Sequence, residues 1–247
     1  MHLRLIALFF HVALVSAALA QSDNLTGKKI SFSSSDGLTI TADLYFSGDS
    51  LPFMILCHQA DYSRGEYAET AKKFIRLGYN CLAVDLRSGK EVNGITNETA
   101  ALAAQKKKST DFLEAEKDIL AAIDYAYAES RKKVFLVGSS YSASLALKIA
   151  ASDARISGVM AFSPGEYFGK EIRIKNIIAG CTVPVFVTST KEEAKDVANL
   201  ISSVKSQVKV QYIPSGPGRH GASCLWKEHS EYRDYWIEIL LFMRSIR

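Results

Sequence analysis

Short, continuous apolar runs separated by stretches of helical periodicity limit what this chain can fold into. Pro52–Cys57, Asn80–Val84, Lys133–Val137, Ile156–Phe162, Pro184–Thr188 and Val208–Ile213 each read as a strand. The central ones do not alternate polar with apolar, as strands buried on both faces should not. Between them, Tyr67–Leu77 carries Ala68, Ala71, Phe74 and Ile75 on one stripe and stops at Gly78. Asp111–Tyr127, Ser142–Ala151 and Glu192–Lys205 read as further helices, and Trp226–Ile246 as a long closing one. Ahead of them, Lys29–Ser33 and Leu38–Tyr45 flank Asp36-Gly37, a hairpin turn signal. A hairpin followed by repeated strand–helix units predicts a mostly parallel sheet with helices on both faces, a three-layer α/β sandwich. Ser88–Ser109 is the least regular stretch and reads as a long loop.

The first twenty residues are set apart from this domain. Arg4 is a short basic start, Leu5–Leu14 is apolar apart from His11, and Ala18-Leu19-Ala20 ends in small residues. That pattern is a secretory signal cleaved after Ala20, and its apolar run is shorter than the roughly 20 residues a membrane span needs. Residues 21–247 then form one domain, secreted or periplasmic, with no stable membrane anchor. The 30 Lys and Arg against 26 Asp and Glu give a net charge of +4, and loss of Arg4 brings it to about +3. So small and dispersed a charge argues against a nucleic-acid partner, and Lys106-Lys107-Lys108 reads as a solvated surface. The four cysteines fit no zinc spacing. Cys57 and Cys81 lie in apolar runs, and Cys181 and Cys224 are the better candidates for a disulfide.

The chemistry concentrates at Val134-Phe135-Leu136-Val137-Gly138-Ser139-Ser140-Tyr141-Ser142-Ala143. A buried strand enters a tight turn and then a helix, with small residues two before and two after Ser140. Such a turn lifts a serine hydroxyl clear of the sheet. A serine is inert at neutral pH without a positioned base. Of the three histidines beyond the leader, His229 falls in the closing helix and His58 directly follows a strand. His220 lies in a Gly- and Pro-rich loop after the last strand, where functional residues are favoured. His220 is therefore the expected base. An acid that orients it should follow a strand between the two. Glu193 is chosen, with Glu192 as its alternative and Glu166 a more remote one. Backbone N–H groups must also face the oxygen that gains charge. Tyr141 supplies one, and Ala60 or the neighbouring Gln59 the other. Tyr62, Tyr141 and Tyr167 are candidates to line the site.

Together these segments resemble the α/β-hydrolase superfamily, nearest its dienelactone-hydrolase-like and esterase branch without a large lid, over nearly all of residues 21–247. His58-Gln59-Ala60 stands where that family has a His-Gly oxyanion segment. Asp85-Leu86-Arg87 resembles its structural Asp-x-Arg turn. Gly138, Ser140 and Ser142 match the elbow, Glu193 falls at the acid position, and His220-Gly221 at the terminal histidine. The departures are Gln59 and Ser142 in place of glycine, and glutamate where many relatives carry aspartate. The resemblance implies a serine hydrolase acting on a small ester or exposed acyl group through Ser140, His220 and Glu193. It implies no metal or organic cofactor. A peptidase or acyltransferase using the same triad, or an inactive binding protein on the same scaffold, are the competing readings.

Overall fold

A computed structural model describes residues 26–247; the expected leader over residues 1–20 lies outside them. The N-terminal hairpin is β1 (Lys28–Ser33) and β2 (Thr39–Tyr45), paired antiparallel from Lys28–Leu44 to Ser33–Thr39. Strand β3 (Phe53–Cys57) leads through a 3₁₀ turn, Arg64–Tyr67, to α1 (Thr70–Ile75), and β4 (Asn80–Val84) follows. Next come β5 (Glu91–Val92), β6 (Ile95–Thr96), α2 (Glu98–Gln105) and α3 (Glu116–Ser130). The second half holds β7 (Val134–Ser139), α4 (Tyr141–Ala150), β8 (Ile156–Phe162), α5 (Ile174–Ile177) and β9 (Val185–Thr188). It ends with α6 (Ala194–Ile201), β10 (Lys209–Tyr212) and α7 (Tyr232–Ser245).

Eight strands form one sheet in the order β1-β2-β4-β3-β7-β8-β9-β10, parallel from β4 to β10 and antiparallel at the hairpin end. Every residue of β3, β4 and β7 is buried, as their unbroken apolar character requires, while β1 alternates exposed and half-buried positions at the edge. Side chains of the sheet point to opposite faces and feed two cores. Leu82, Leu136 and Val187 pack with Ile119 and Ile123 of α3, Leu145 of α4 and Val197 of α6. Met54, Phe135 and Phe186 pack with Phe74 of α1 and Ile239 and Phe242 of α7 on the other face. Each fully buried side chain of leucine size stabilises by about 1.5–3 kcal/mol, so two such cores hold the sheet firmly as a platform. This is the α/β-hydrolase sandwich.

Three expectations need correction. Ser88–Ser109 is not a loop: it contains the β5–β6 hairpin and α2, which Asn97 caps by accepting the Ala100 N–H at 2.8 Å. Its alanines make a weak apolar stripe, and for that reason periodicity alone misses it. The closing helix begins at Tyr232, not Trp226, so His229 lies in the turn before it with its ring stacked on Trp226. Cys57, Cys81, Cys181 and Cys224 are all buried free thiols. Cys181 packs in one core and Cys224 in the other, so the sheet itself stands between them.

Candidate active site

The site forms beyond the carboxyl ends of β3, β7, β8 and β9, where open α/β sheets gather their loops. At the end of β7, Ser140 has φ 59° and ψ −123°, a strained conformation that costs on the order of 1–3 kcal/mol for a non-glycine residue. The surroundings enforce it. Ser140 N–H donates to Phe162 O at 2.7 Å. A Cβ on Gly138 would stand 2.5 Å from Ala143 Cα, so only glycine fits there. Ser142 fits because its hydroxyl is used: it accepts the Ser139 N–H at 2.9 Å and donates to Cys57 O at 2.8 Å. The serine in place of glycine thus ties the elbow to the end of β3.

His220 reaches this serine from the loop after β10. Its Nε2 is 2.8 Å from Ser140 Oγ, and its Nδ1 is 2.5 Å from Glu193 Oε1. Nδ1–H therefore donates to the carboxylate, which leaves Nε2 to accept from the serine. Glu193 Oε2 accepts from Ser163 Oγ at 2.8 Å and Thr190 N–H at 3.0 Å. Burial would raise the Glu193 carboxyl, but the bonds from His220, Ser163 and Thr190 outweigh it and hold the group down at about 2. The other acid candidates are elsewhere. Glu192 is exposed, and Glu166 accepts the N–H groups of Ile174 and Lys175 at 2.7 and 3.1 Å, capping α5. His58 is fully buried: Nε2 accepts the Leu86 N–H at 2.9 Å while Nδ1 lies 2.7 Å from Gln59 O. Burial pushes its pKa down to about 4, so it stays neutral as a structural strut.

Tyr141 N–H opens helix α4, where first-turn amides have no partner within the helix. The Tyr141 ring does not line the site. It is buried, with Phe112 stacked on it at 4.4 Å. Tyr62 stacks on Trp226, and Tyr167 OH donates to Ser163 O at 2.9 Å. In the loop after β3, the Gln59 N–H points down onto Glu66 Oε2 at 2.9 Å and is spoken for. Gln59 O faces the other way, held by His58 Nδ1 and by Tyr62 N–H at 3.3 Å. A trans peptide places N–H and C=O on opposite edges, so the Ala60 N–H is directed away from those partners. Among the described residues it donates to no acceptor.

Sequence reasoning missed three residues here. Ser163 Oγ, besides donating to Glu193, accepts the Gly221 N–H at 3.1 Å. Ser139 Oγ donates to Glu66 Oε1 at 2.8 Å and accepts the Ala222 N–H at 2.8 Å. Glu66 itself is 1% exposed, and burial pushes its carboxyl up to about 7 against the hydrogen bonds it accepts. Ser139 ends β7 and Ser163 directly follows β8, a placement that could have drawn attention to them. Nothing in Arg64-Gly65-Glu66-Tyr67 announces a buried carboxylate. Asp85 and Arg87 are structural: Asp85 pairs with Arg64 at 2.6 Å, and Arg87 with Asp118 at 2.7 Å.

Comparison with solved structures bears on the class first. The esterase Pf2001 of Pyrococcus furiosus superposes with a TM-score of 0.70 at 17% identity, over 90% of this chain and 93% of that one. The α/β hydrolase GrgF from Penicillium gives 0.67 at 14%, over 90% and 99%. Dienelactone hydrolase from Anabaena variabilis gives 0.64 at 15%, over 87% and 95%. At such identities the likeness is one of fold, and the fold is that of the α/β-hydrolases. The family follows from the sequence profile: residues 51–213 match the dienelactone hydrolase family, and the chain belongs to it. It is accordingly a hydrolase. A search of curated proteins finds no match.

Proposed function

We propose that the protein is a serine hydrolase that cleaves carboxylic esters by two-step acyl transfer. The observation that carries this reading is the unbroken chain Glu193–His220–Ser140, with both bonds at 2.5–2.8 Å. Ser140 Oγ attacks the ester carbonyl as its proton passes to His220 Nε2. Glu193 holds the tautomer and stabilises the imidazolium. The N–H groups of Tyr141 and Ala60 receive the tetrahedral oxyanion, and each such donor is worth roughly 3 kcal/mol of barrier. His220 returns the proton to the leaving alkoxide, then activates the water that releases the acyl group. No step calls for a metal or organic cofactor.

A small ester or an acyl group exposed on a larger molecule suits the site. Between β8 and β9 the chain holds only α5 and a 3₁₀ turn, far short of a cap domain. A cavity of about 560 Å³ opens beside Ala60, its walls mixing Ala101, Ala104 and Phe112 with Asp61, Lys90 and Glu91, and it is the space nearest the loop that carries the second oxyanion donor. Export through the leader over residues 1–20 is part of the same proposal and gives a secreted or periplasmic enzyme.

The test is a fluorophosphonate probe on the mature protein. Labelling should vanish in Ser140→Ala and fall sharply in His220→Ala. A folded wild-type protein that stays unlabelled overturns the reading and leaves a binding protein on a hydrolase scaffold.

A further inference from the structure

Beneath the Ser140–His220 pair lies a titratable group that the acyl-transfer scheme leaves unused. Glu66 Oε2 accepts the Gln59 N–H at 2.9 Å, and Oε1 accepts Ser139 Oγ at 2.8 Å. The same Ser139 hydroxyl accepts the Ala222 N–H at 2.8 Å, two residues past His220, and the Ser223 amide also faces the carboxylate. Glu66 O accepts Trp226 Nε1–H at 2.8 Å. One residue on the 3₁₀ turn after β3 therefore touches the oxyanion loop, the residue before the elbow serine, and the loop that carries the base. We propose that Glu66 is a positioning residue of this hydrolase, whose carboxylate holds the His58–Gln59 peptide, one unit before the Ala60 N–H, and, through Ser139, seats His220 against Ser140.

This rests on the serine-hydrolase reading and extends it. Every partner of the carboxylate is a donor, so the ionised form satisfies all of them, whereas a protonated Glu66 must turn its own O–H toward one of them. Beside Ser139 Oγ, against Gly221, lies Gln59 Oε1, a buried acceptor with no partner among the described residues. When Glu66 takes a proton on Oε1 it must donate to Ser139 Oγ, and the Ser139 hydroxyl hydrogen loses its acceptor, because Gln59 Oε1 is not within hydrogen-bond geometry of it. The bonds that tie the His58–Gln59 peptide, Ser139 and the Ala222 turn to one charged acceptor are weakened together. The groups that face Glu66 are Cys57 at the end of β3, Tyr67 beside it, Tyr141 of α4, Cys224 of the 3₁₀ turn after His220, and His220 and Arg219 of that loop. Burial pushes the two thiols and two phenols upward and keeps them neutral near pH 7. Among the groups gathered here, Glu66 is the one that must shed a proton before the site is fully ordered.

The experiment measures fluorophosphonate inactivation rates from about pH 5 to 9, with kcat and KM for p-nitrophenyl acetate, on wild type, Glu66→Gln and Ser139→Ala. Each variant's fold is checked by near-ultraviolet circular dichroism. Wild type should gain rate on its acid limb more steeply than Glu66→Gln does. Glu66→Gln should flatten that limb and lose about 10- to 100-fold in kcat with KM little changed. Ser139→Ala removes one donor from a retained carboxylate, so its limb should move to higher pH; this variant carries the test if Glu66→Gln does not fold. A wild-type protein that labels, with rate and slope surviving in Glu66→Gln or with an unshifted limb in Ser139→Ala, overturns the positioning role alone. A folded wild type that labels at no pH overturns the hydrolase reading and this proposal with it.

Discussion

Two carboxylates flank the Ser140–His220 pair, and they are built alike. Glu193 accepts Ser163 Oγ, and Ser163 in turn holds the Gly221 N–H. Glu66 accepts Ser139 Oγ, and Ser139 holds the Ala222 N–H. Each also takes one backbone amide, from Thr190 and Gln59 respectively. The loop after His220 is thus pinned through two serine relays ending on successive residues. Yet Glu193 is held at about 2 and Glu66 is pushed to about 7. The donor sets differ little; solvent and the imidazole make the difference. Glu193 keeps 32% of its side chain exposed and bonds His220 directly, while Glu66 is sealed between the sheet and the loops. Hydrogen bonds of similar number stabilise a charge that is partly wet and only limit the penalty for one that is dry.

The comparison is broken most severely at its wet end. Glu193→Gln should reduce kcat by about 10³- to 10⁴-fold with KM nearly unchanged, because an amide cannot hold the imidazole tautomer. That loss, read with p-nitrophenyl acetate, should exceed the loss in Glu66→Gln at least tenfold; equal losses would contradict the division of roles drawn here. Ser163→Ala strips Glu193 of a donor and the Gly221 amide of its acceptor. It should destabilise by about 1–3 kcal/mol in urea unfolding and lower kcat across the whole pH profile, alkaline plateau included.

Stability against pH sharpens the contrast by sign. The Glu193 carboxyl titrates lower in the folded chain than its unfolded value of 4.5. Its contribution is complete above that value and is lost as pH falls from 4.5 toward 2. Glu66 does the reverse: its folded carboxyl lies above 4.5, so the folded state keeps a proton the unfolded chain has released, and stability drains away as pH rises from 4.5 to about 7. Urea midpoints for wild type minus Glu193→Gln should therefore narrow on the acid side. Those for Glu66→Gln should gain on wild type by up to about 3 kcal/mol on crossing that interval. A parallel pH dependence in the two variants would refute the assignment of opposite shifts. Smallest of all, Glu192→Gln should change kcat less than about twofold, since its carboxylate is exposed and outside the site.

Much of this was legible in the chain. Apolar runs located the central strands within a residue or two, because a strand buried on both faces leaves no room for polar positions. Gly138, Ser140 and Ser142 were legible because the turn they occupy is a local steric problem with few solutions, and His220 because its loop is rich in glycine and proline. Helix α2 was not, since its alanines form helix by propensity and capping without a strong stripe. The start of α7 was misplaced for a related reason: Trp226 and His229 are ring side chains at helical spacing, but Trp226 stacks between His229 and Tyr62 rather than on a helix face.

By itself, then, the sequence determined the sandwich, the strained turn at Ser140 and the histidine that answers it, all from patterns spanning a dozen residues or fewer. Only the tertiary structure set Glu193, bonded to His220, apart from the exposed Glu192, and the unbonded Ala60 N–H apart from the Gln59 N–H that Glu66 holds; only it brought Glu66 under the site. Those distinctions depend on where a side chain or peptide points once strands distant in sequence lie side by side. Burial and hydrogen-bond partners belong to that assembled environment, and they decide which of two neighbouring, chemically similar groups carries a charge, donates a bond or stays outside the site.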